Sequence, residues 1–472
     1  MGKYLKWVIL LCGVNFVFRL FFLNFPANFD EVGYFDGVKA IYNNNFNPII
    51  NFIGYKPPVI FEPVVLLWKL FGPSIVWGKL FTLITSCVAL FYTYLLGKKI
   101  ASEKVGLVAA LILFVFPLFV TQSFLYQDAV LLTALFVMTM YYFLTKKYGV
   151  YFLCATLMVL TKETAVFVPV IFCLFDWRVN NFDFKKIVRS IKFLAPLVFF
   201  GIWMGLNKLF LGWFLLPTHV GWFRWKNLFS QAFHDFFMGV CIDNFMWLVL
   251  AIILAGFLHL NKIKSQLYKE KIKNYGLFVI IAIFYFWLMS LYLAAPRYLL
   301  LVYPLIFILV ADFIFILFEE RKAWILSFVL VILMIVSNVF SLLCTPWFND
   351  GDRDLRLFSN IYLNKQVVEY VEKRYSDPLI VTIWPLDVFF GDPFLGYATR
   401  KHDYITIGCD FPNFSRLNDL RKDYPNRDIL MINPRNICGG GGASGKDMDL
   451  MEVINWSPFD YQHLPIEIYK WK

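Results

Sequence analysis

Long apolar runs recur through residues 1–344, and they restrict the possible folds more than any other feature of the sequence. We count eleven of them as membrane spans, since a transmembrane helix needs about 20 apolar residues; two, 149–161 and 164–176, are short and could form a tight helical hairpin. The eleven are residues 7–23, 75–96, 105–121, 128–145, 149–161, 164–176, 193–211, 241–259, 276–294, 298–318 and 323–343. Composition agrees, because 60% of the 472 residues are hydrophobic and only 16% are charged. The sequence predicts a polytopic α-helical membrane protein with about 11 transmembrane helices.

Lysine and arginine are unevenly distributed between these runs, and the bias predicts an orientation. Lys3 and Lys6 precede the first run, and no small-residue cleavage site follows it, so we expect an uncleaved helix with a cytoplasmic N-terminus. The segments then predicted inside carry roughly twice as many Lys and Arg as those predicted outside. A net charge of +11 is therefore explained without nucleic acid. We expect a multi-pass protein of the cell (plasma) membrane, surrounded by membrane lipids.

The chain changes character after Cys344. Residues 345–472 have shorter apolar runs and more charges, which predicts a separate domain after a transmembrane catalytic domain formed by residues 1–344. Helices and strands alternate in the order helix Gln366–Tyr375, strand Leu379–Trp384, helix Arg416–Tyr424 and strand Ile429–Asn433. This alternation predicts a small α/β domain. Eleven spans place it outside the cell, where Cys409 and Cys438 could form a disulfide.

The first outside loop carries the sequence's most informative carboxylates. Asp30 and Glu31 follow the first span directly, with Tyr34 and Asp36 shortly after them. Such carboxylates could simply be solvated, or Asp30 could cap a helix. A carboxylate held beside the bilayer is also a plausible general base, because partial burial raises its pKa.

Charged residues recur in other loops predicted on the same outside face. Each has a structural explanation of its own: a snorkelling lysine, a helix N-cap, a solvated turn. An arginine that interrupts a long apolar stretch is usually functional, however. The residues are Lys56 before Pro57-Pro58, Asp128 at the start of a span, the pair Lys162-Glu163, and Arg297. Their convergence on one face predicts an anion-binding site there.

A glycine-rich segment near the C-terminus has the spacing of a phosphate loop. Residues 440–446 fit G-x-x-x-x-G-K, but Asp447 stands where such a loop needs Ser or Thr. The segment is also predicted outside the cell, away from nucleotides. We interpret it as a flexible loop.

The motifs, taken in order, resemble those of the GT-C glycosyltransferases that use polyprenyl-phosphate sugars. The branch that matches best holds the protein O-mannosyltransferases and the lipid A aminoarabinose transferases. The matching residues are Asp30-Glu31-x-x-Tyr34, Lys56-Pro57-Pro58, Phe71-Gly72, Asp128, Leu160-Thr161-Lys162, and Arg297-Tyr298-Leu299-Leu300 followed by Pro304.

The resemblance implies a GT-C fold and a role for each matching side chain. Asp30 would be the catalytic base with Glu31 beside it, and Lys56, Lys162 and Arg297 would bind the donor phosphate. The remaining matches, Tyr34, Asp128 and Tyr298, would bind substrate. The enzyme would transfer a sugar from a polyprenyl-phosphate donor to a hydroxyl of a lipid, glycan or protein acceptor on the extracytoplasmic side, with inversion.

Departures from the family pattern leave the sugar and the acceptor open, and the sequence does not decide whether a divalent metal is required. Gly33, Tyr55, Lys79 and Glu163 each stand where a different residue type is usual. Two alternatives also remain: a lipid-linked sugar transporter or flippase, and a polymerase or ligase with a lipid-diphosphate donor. A transporter would more often show internal repeats and charges near the membrane midplane. Neither is evident in this sequence.

Overall fold

A computed structural model describes residues 3–44, 56–179, 183–241, 243–260, 266–292, 295–343, 354–407, 422–425, 427–434, 448–454 and 466–471. Several features considered above lie outside these residues. They are Tyr55, Cys409, Cys438, the glycine-rich segment 440–446, and most of the predicted helix Arg416–Tyr424.

The apolar part of the chain forms a succession of helices. In order, they are Leu5–Leu20, Asp30–Asn43, Glu62–Phe71, Ile75–Ile100, Glu103–Val115, Pro117–Gln122, Asp128–Leu144, Tyr148–Val159, Phe167–Val179, Phe184–Ile191, Pro196–Leu211, Pro217–Trp222, Gln231–Cys241, Met246–Leu260, Gln266–Leu291, Tyr303–Leu317 and Glu320–Leu343. Each of the eleven predicted spans coincides with one or two of these helices. The predicted mostly helical fold of this part of the chain is thus confirmed, whereas the domain boundary at residue 344 stays a prediction.

Single helices long and apolar enough to cross a membrane are fewer than the predicted spans. Among the described residues they are Ile75–Ile100, Lys273–Leu291 and Glu320–Leu342; the pair Ile187–Leu194 and Pro196–Leu211, bent by 47°, would add a fourth. These are a minimum, because other predicted spans are divided or shortened. The run 105–121, for example, breaks at Pro117, which has no backbone N–H to donate to the preceding turn.

The helix Glu320–Leu343 shows the surface expected beside lipid. Its side chains Phe328, Val336 and Phe340 are 65%, 53% and 66% exposed. Soluble monomers rarely expose contiguous apolar surface of this kind, whereas a bilayer solvates it.

The described residues separate into two compact units. One comprises Met1–Phe21, Tyr34–Pro73 and Trp77–Ser337; the other comprises Phe22–Gly33, Ser74–Val76 and Asn338–Lys472. The second unit therefore combines the C-terminal residues with the turn that carries Asp30. The first contains most of the apolar helices.

Within the first unit, two glycines allow close packing next to the predicted site. A methyl group at Gly37 would lie 2.7 Å from the Phe61 ring, and one at Gly78 would lie 2.8 Å from the Tyr126 ring. Side chains at these positions would push the helices Asp30–Asn43 and Ile75–Ile100 away from their aromatic neighbours. The glycines thus fix the distances at which Tyr34 meets the loops around it.

The second unit contains a mixed five-stranded sheet. Its strands are β1 (Leu379–Thr382), β2 (Tyr404–Thr406), β3 (Ile429–Pro434), β4 (Met448–Ile454) and β5 (Ile466–Trp471), in the order β2-β1-β3-β5-β4. Strand β1 runs parallel to β2 and β3, with Ile380 opposite Leu430, while β5 is antiparallel to β3 and β4.

The sequence anticipated this part of the fold incompletely. The helices Arg356–Arg374 and Leu386–Gly391 accompany the sheet, and the first extends ten residues before the predicted start at Gln366. Strands β1 and β3 agree with prediction because their apolar runs pack in one buried cluster, which includes Val381 and Met431. The sequence analysis missed β2, β4 and β5.

Candidate active site

Three predicted site residues from separate loops meet at the Asp128 carboxylate. Lys162 Nζ lies 3.1 Å from both carboxylate oxygens, and Lys56 Nζ lies 3.9 Å from one of them. Asp128 and Lys162 are only 3% and 6% exposed. We call Lys56, Asp128 and Lys162 the cation cluster, since two lysines share one carboxylate.

Backbone contacts bring these loops together. Pro57 is extended and Pro58 begins a short 3₁₀ turn, as expected for proline at a helix entry. The N–H of Val59 donates to the Leu160 carbonyl at 3.2 Å, and the Tyr126 hydroxyl donates to the Ile60 carbonyl at 2.7 Å. The segment after Lys56 is therefore attached both just before Lys162 and just before Asp128.

Aromatic rings cover the two lysines. Lys56 Nζ lies 3.5 Å from the centre of the Tyr34 ring, and Lys162 Nζ lies 3.8 Å from the centre of the Tyr298 ring. These are cation–π distances, which suit lysines that are partly removed from water. Burial and then the charge of Asp128 raise the pKa of Tyr34 well above its usual value, so its hydroxyl stays protonated and hydrogen-bonds to Asp128.

Arg297 adds a third positive charge beside the cluster. Its guanidinium donates to the Tyr298 hydroxyl at 3.5 Å, and its charge acts on Tyr34. The predicted donor-binding cations Lys56, Lys162 and Arg297 therefore lie around the same pair of tyrosines. Three cationic side chains thus converge on one place, and lysine and arginine are the side chains that bind phosphate most strongly.

A half-buried ion pair next to Lys162 was not predicted from the sequence, which left a solvated Lys162-Glu163 turn open. His219 Nδ1 lies 3.1 Å from the Glu163 carboxylate, and both side chains are less than one-fifth exposed. Burial opposes ionisation of Glu163, but the hydrogen bond with His219 and the charge of Lys162 outweigh it and lower its pKa. The sequence signal that could have pointed to this pair is His219 itself, one of only five histidines in the chain, which stands in an aromatic-rich loop.

Asp30 and Glu31 belong to the second unit. Asp30 is the first residue of the helix Asp30–Asn43 and is half-buried. Glu31 is fully buried, and its carboxylate accepts a 2.8 Å hydrogen bond from the Asn28 backbone N–H. Glu31 thus closes the turn that precedes the helix. The catalytic roles predicted for both carboxylates stay predictions.

Asp36, further along that helix, is exposed and lies 3.8 Å from Lys39. No group of three or more His, Cys, Asp or Glu side chains close enough to hold a metal ion occurs among the described residues.

Comparisons with known proteins support the resemblance. Residues 55–204 match the family model described as dolichyl-phosphate-mannose-protein mannosyltransferase, a segment that includes the whole cation cluster. No curated protein sequence matches the chain significantly. Each solved structure named below shares too little sequence to show more than the fold.

Two solved structures illustrate that fold. ArnT from Cupriavidus metallidurans, bound to undecaprenyl phosphate, is 13% identical with a TM-score of 0.62, and the match covers 99% of this chain and 98% of that one. An Archaeoglobus fulgidus oligosaccharyltransferase is 11% identical with a TM-score of 0.51, covering 92% of this chain and 70% of that one. The predicted GT-C fold, and the similarity to the mannosyltransferase and ArnT glycosyltransferases, are thus confirmed.

Proposed function

We propose that this protein is a membrane glycosyltransferase that transfers a sugar from a polyprenyl-phosphate donor to an acceptor hydroxyl on the extracytoplasmic side, with inversion. The observation that carries the proposal is the cation cluster. Lys162 is buried and Lys56 is half-buried, and both ammonium groups lie beside the Asp128 carboxylate in an apolar part of the chain. A lipid-linked phosphate is the anion whose tail would remain in the bilayer while its charge met these lysines.

The reaction requires stabilisation of the leaving phosphate on one side of the anomeric carbon and deprotonation of the acceptor hydroxyl on the other. As the acceptor oxygen attacks the anomeric carbon, the bond from that carbon to the phosphate oxygen breaks, and polyprenyl phosphate leaves. The leaving group gains negative charge, which Lys56, Lys162 and Arg297 would stabilise without donating a proton. Buried cations act more strongly in this role than solvated ones, because water screens them less.

The acceptor hydroxyl must lose its proton, and Asp30 is the proposed base. Asp30 begins a helix directly after the first span, and it is half-buried. General-base catalysis typically contributes about 10²–10⁴-fold. Glu31 is assigned a supporting role, since its carboxylate already accepts the Asn28 N–H.

Asp128 is assigned to the donor side, where it acts through the lysines. It begins the helix Asp128–Leu144, whose N-terminal dipole favours the ionised carboxylate. The shared carboxylate holds both ammonium groups in place before the donor arrives. Preorganised charge of this kind lowers the reorganisation required during reaction.

The experiment is to incubate the purified full-length chain with a panel of polyprenyl-phosphate sugars and acceptor hydroxyl compounds. Release of polyprenyl phosphate together with glycosylated acceptor of inverted anomeric configuration is expected. Release of polyprenyl diphosphate from a lipid-diphosphate sugar would instead assign the chain to the polymerase or ligase class. Movement of lipid-linked sugar across vesicles without any bond cleavage would assign it to the transporters.

A further inference from the structure

The turn that carries the proposed base contacts one short stretch of the C-terminal sequence. The N–H of Ala27 donates to the Leu395 carbonyl at 2.9 Å. Gly396 follows, with a φ of +89°, and a methyl group there would lie 3.3 Å from Pro26 Cα. A side chain at residue 396 would therefore both strain the backbone at a positive φ and push the Pro26 backbone away by a few tenths of an ångström.

A second contact holds the residue just before Asp30. Phe29 has a φ of +25°, in a region that bulky L-residues rarely adopt. Its ring meets the Trp384 ring edge-on at 4.3 Å. Strained backbone of this kind persists only where the surroundings determine it, and Trp384 is a part of those surroundings that comes from the C-terminal residues.

At the other end of the turn, at Glu31, side chains of the turn and of the C-terminal sequence are also buried. The Glu31 carboxylate is fully buried, and its charge acts on Tyr397, whose ring stacks on Phe389 at 4.0 Å. Each side of the Pro26–Glu31 turn thus meets part of the segment 384–397. All of these residues lie in the second compact unit.

From these contacts we propose that the segment 384–397 positions the Pro26–Glu31 turn, and that Trp384 and Gly396 are positioning residues for Asp30. The inference rests on the proposed function, since it assigns a task to the C-terminal domain in the same reaction. Trp384 and Gly396 act through the backbone of the turn and touch no reacting atom. Trp384 is 41% exposed, so removing it creates little cavity and should not unfold the domain.

The first test needs no substrate. Hydrogen exchange of the full-length chain should show the peptide that covers residues 26–31 protected in the parent protein. Trp384→Ala and Gly396→Ala should each accelerate exchange there, while Trp384→Phe restores protection. Tyr370→Ala is the matched control, because it removes an aromatic ring of the same domain whose contacts are with Met451 and Arg374. If residues 26–31 exchanged at the same rate in Trp384→Ala as in the parent protein, the proposal would be overturned.

The second test separates positioning from general structure. With a polyprenyl-phosphate sugar that the parent protein uses, Trp384→Ala should lower kcat by about 10²-fold, the loss associated with a misplacement of ~1 Å. Its donor KM should change little, and Tyr370→Ala should resemble the parent.

The decisive measurement combines Trp384→Ala with Asp30→Asn. If Trp384 acts only by placing Asp30, the double variant should be no slower than Asp30→Asn alone. A further 10²-fold loss in the double variant would overturn the proposal. A parent protein that releases no polyprenyl phosphate from any donor would refute the proposed function instead, while the exchange result would still decide whether the segment 384–397 holds the Pro26–Glu31 turn.

Discussion

Replacing Lys162 tests whether the cation cluster binds an anion or merely stabilises the fold. Lys162→Met keeps the apolar stem and removes the ammonium group that lies 3.1 Å from both Asp128 oxygens. Removing one partner of a buried ion pair costs about 3–5 kcal/mol of stability. We expect the lower end of that range, because Lys56 remains 3.9 Å from the same carboxylate.

The effect on the donor follows from the lost hydrogen bond. A hydrogen bond to a charged group contributes about 1.5–3 kcal/mol, and 1.36 kcal/mol corresponds to a factor of ten. Lys162→Met should therefore weaken donor binding roughly 10- to 150-fold. Asp128→Asn should also destabilise the protein, because it removes the carboxylate from the buried Lys162 and the half-buried Lys56. Its donor affinity, however, should hold or rise, since the phosphate no longer competes with Asp128 for the lysines.

The assay pairs thermal unfolding in detergent with the donor dependence of polyprenyl phosphate release. The double variant Asp128→Asn/Lys162→Met, which removes both charges, should regain part of the lost stability without regaining donor affinity. The diagnostic result is a loss of donor affinity in Lys162→Met without any loss in Asp128→Asn. Equal losses of donor affinity in Lys162→Met and Asp128→Asn, in proportion to their losses of stability, would refute the electrostatic reasoning.

Three further predictions follow. Asp30→Asn should lower turnover by about 10²–10⁴-fold with donor binding intact, whereas Asp36→Asn should cost far less because Asp36 is exposed beside Lys39; near-normal turnover of Asp30→Asn would exclude it as the base. Burial opposes ionisation of Glu372, but hydrogen bonds from Thr399, Arg400 and His402 outweigh it and lower its pKa. The ionised Glu372 therefore contributes fully to stability above the ordinary glutamate pKa of about 4.3, and this contribution is lost as the pH falls through its lowered pKa in the folded protein. Glu372→Gln should thus flatten the acid side of a curve of Tm against pH. An unchanged slope would contradict this prediction. Finally, a membrane-impermeant thiol reagent added outside should label a cysteine placed at Asp419 and not one placed at Lys269, as the Lys/Arg bias requires; labelling at both would refute the orientation.

The helices could be predicted because each apolar run carries its own signal. A run such as 75–96 is too long and too uniform for a soluble core, and it folds into the helix Ile75–Ile100. The exact breaks were less accessible. The division at Pro117 and the 47° bend before Pro196 depend on how neighbouring helices pack as well as on the residues themselves.

The candidate site was predictable only where charge stood out against apolar sequence. Lys56, Asp128, Lys162 and Arg297 interrupt or border apolar runs, and the structure brings them to one pair of tyrosines. His219 carried no such contrast, because its loop mixes polar residues such as Thr218 and Arg224 with aromatic and aliphatic ones. Its pairing with Glu163 joins positions 56 residues apart, and no local pattern reports such a contact.

The edge strands were missed for a related reason. Strand β4 contains Met448, Asp449, Leu450, Met451 and Glu452, which is neither cleanly alternating nor continuously apolar. Leu450 is 53% exposed, so this apolar residue of β4 does not mark a buried face of the strand. Pairing with β5, which includes an irregularity between Leu450 and Glu452, is what makes this segment a strand.

The hydrogen bond between Ala27 and Leu395 has a consequence for how the protein is made. Ala27 emerges early in synthesis, whereas Leu395 follows about 370 residues later, so the two cannot meet for roughly 20–70 s at ordinary translation rates of about 5–20 residues per second. During that interval the first helix enters the membrane while the turn before Asp30 lacks its Trp384 and Leu395 contacts. A nascent chain would thus be inserted before it could act, and a chain truncated before Trp384 would remain in the bilayer as an inactive product.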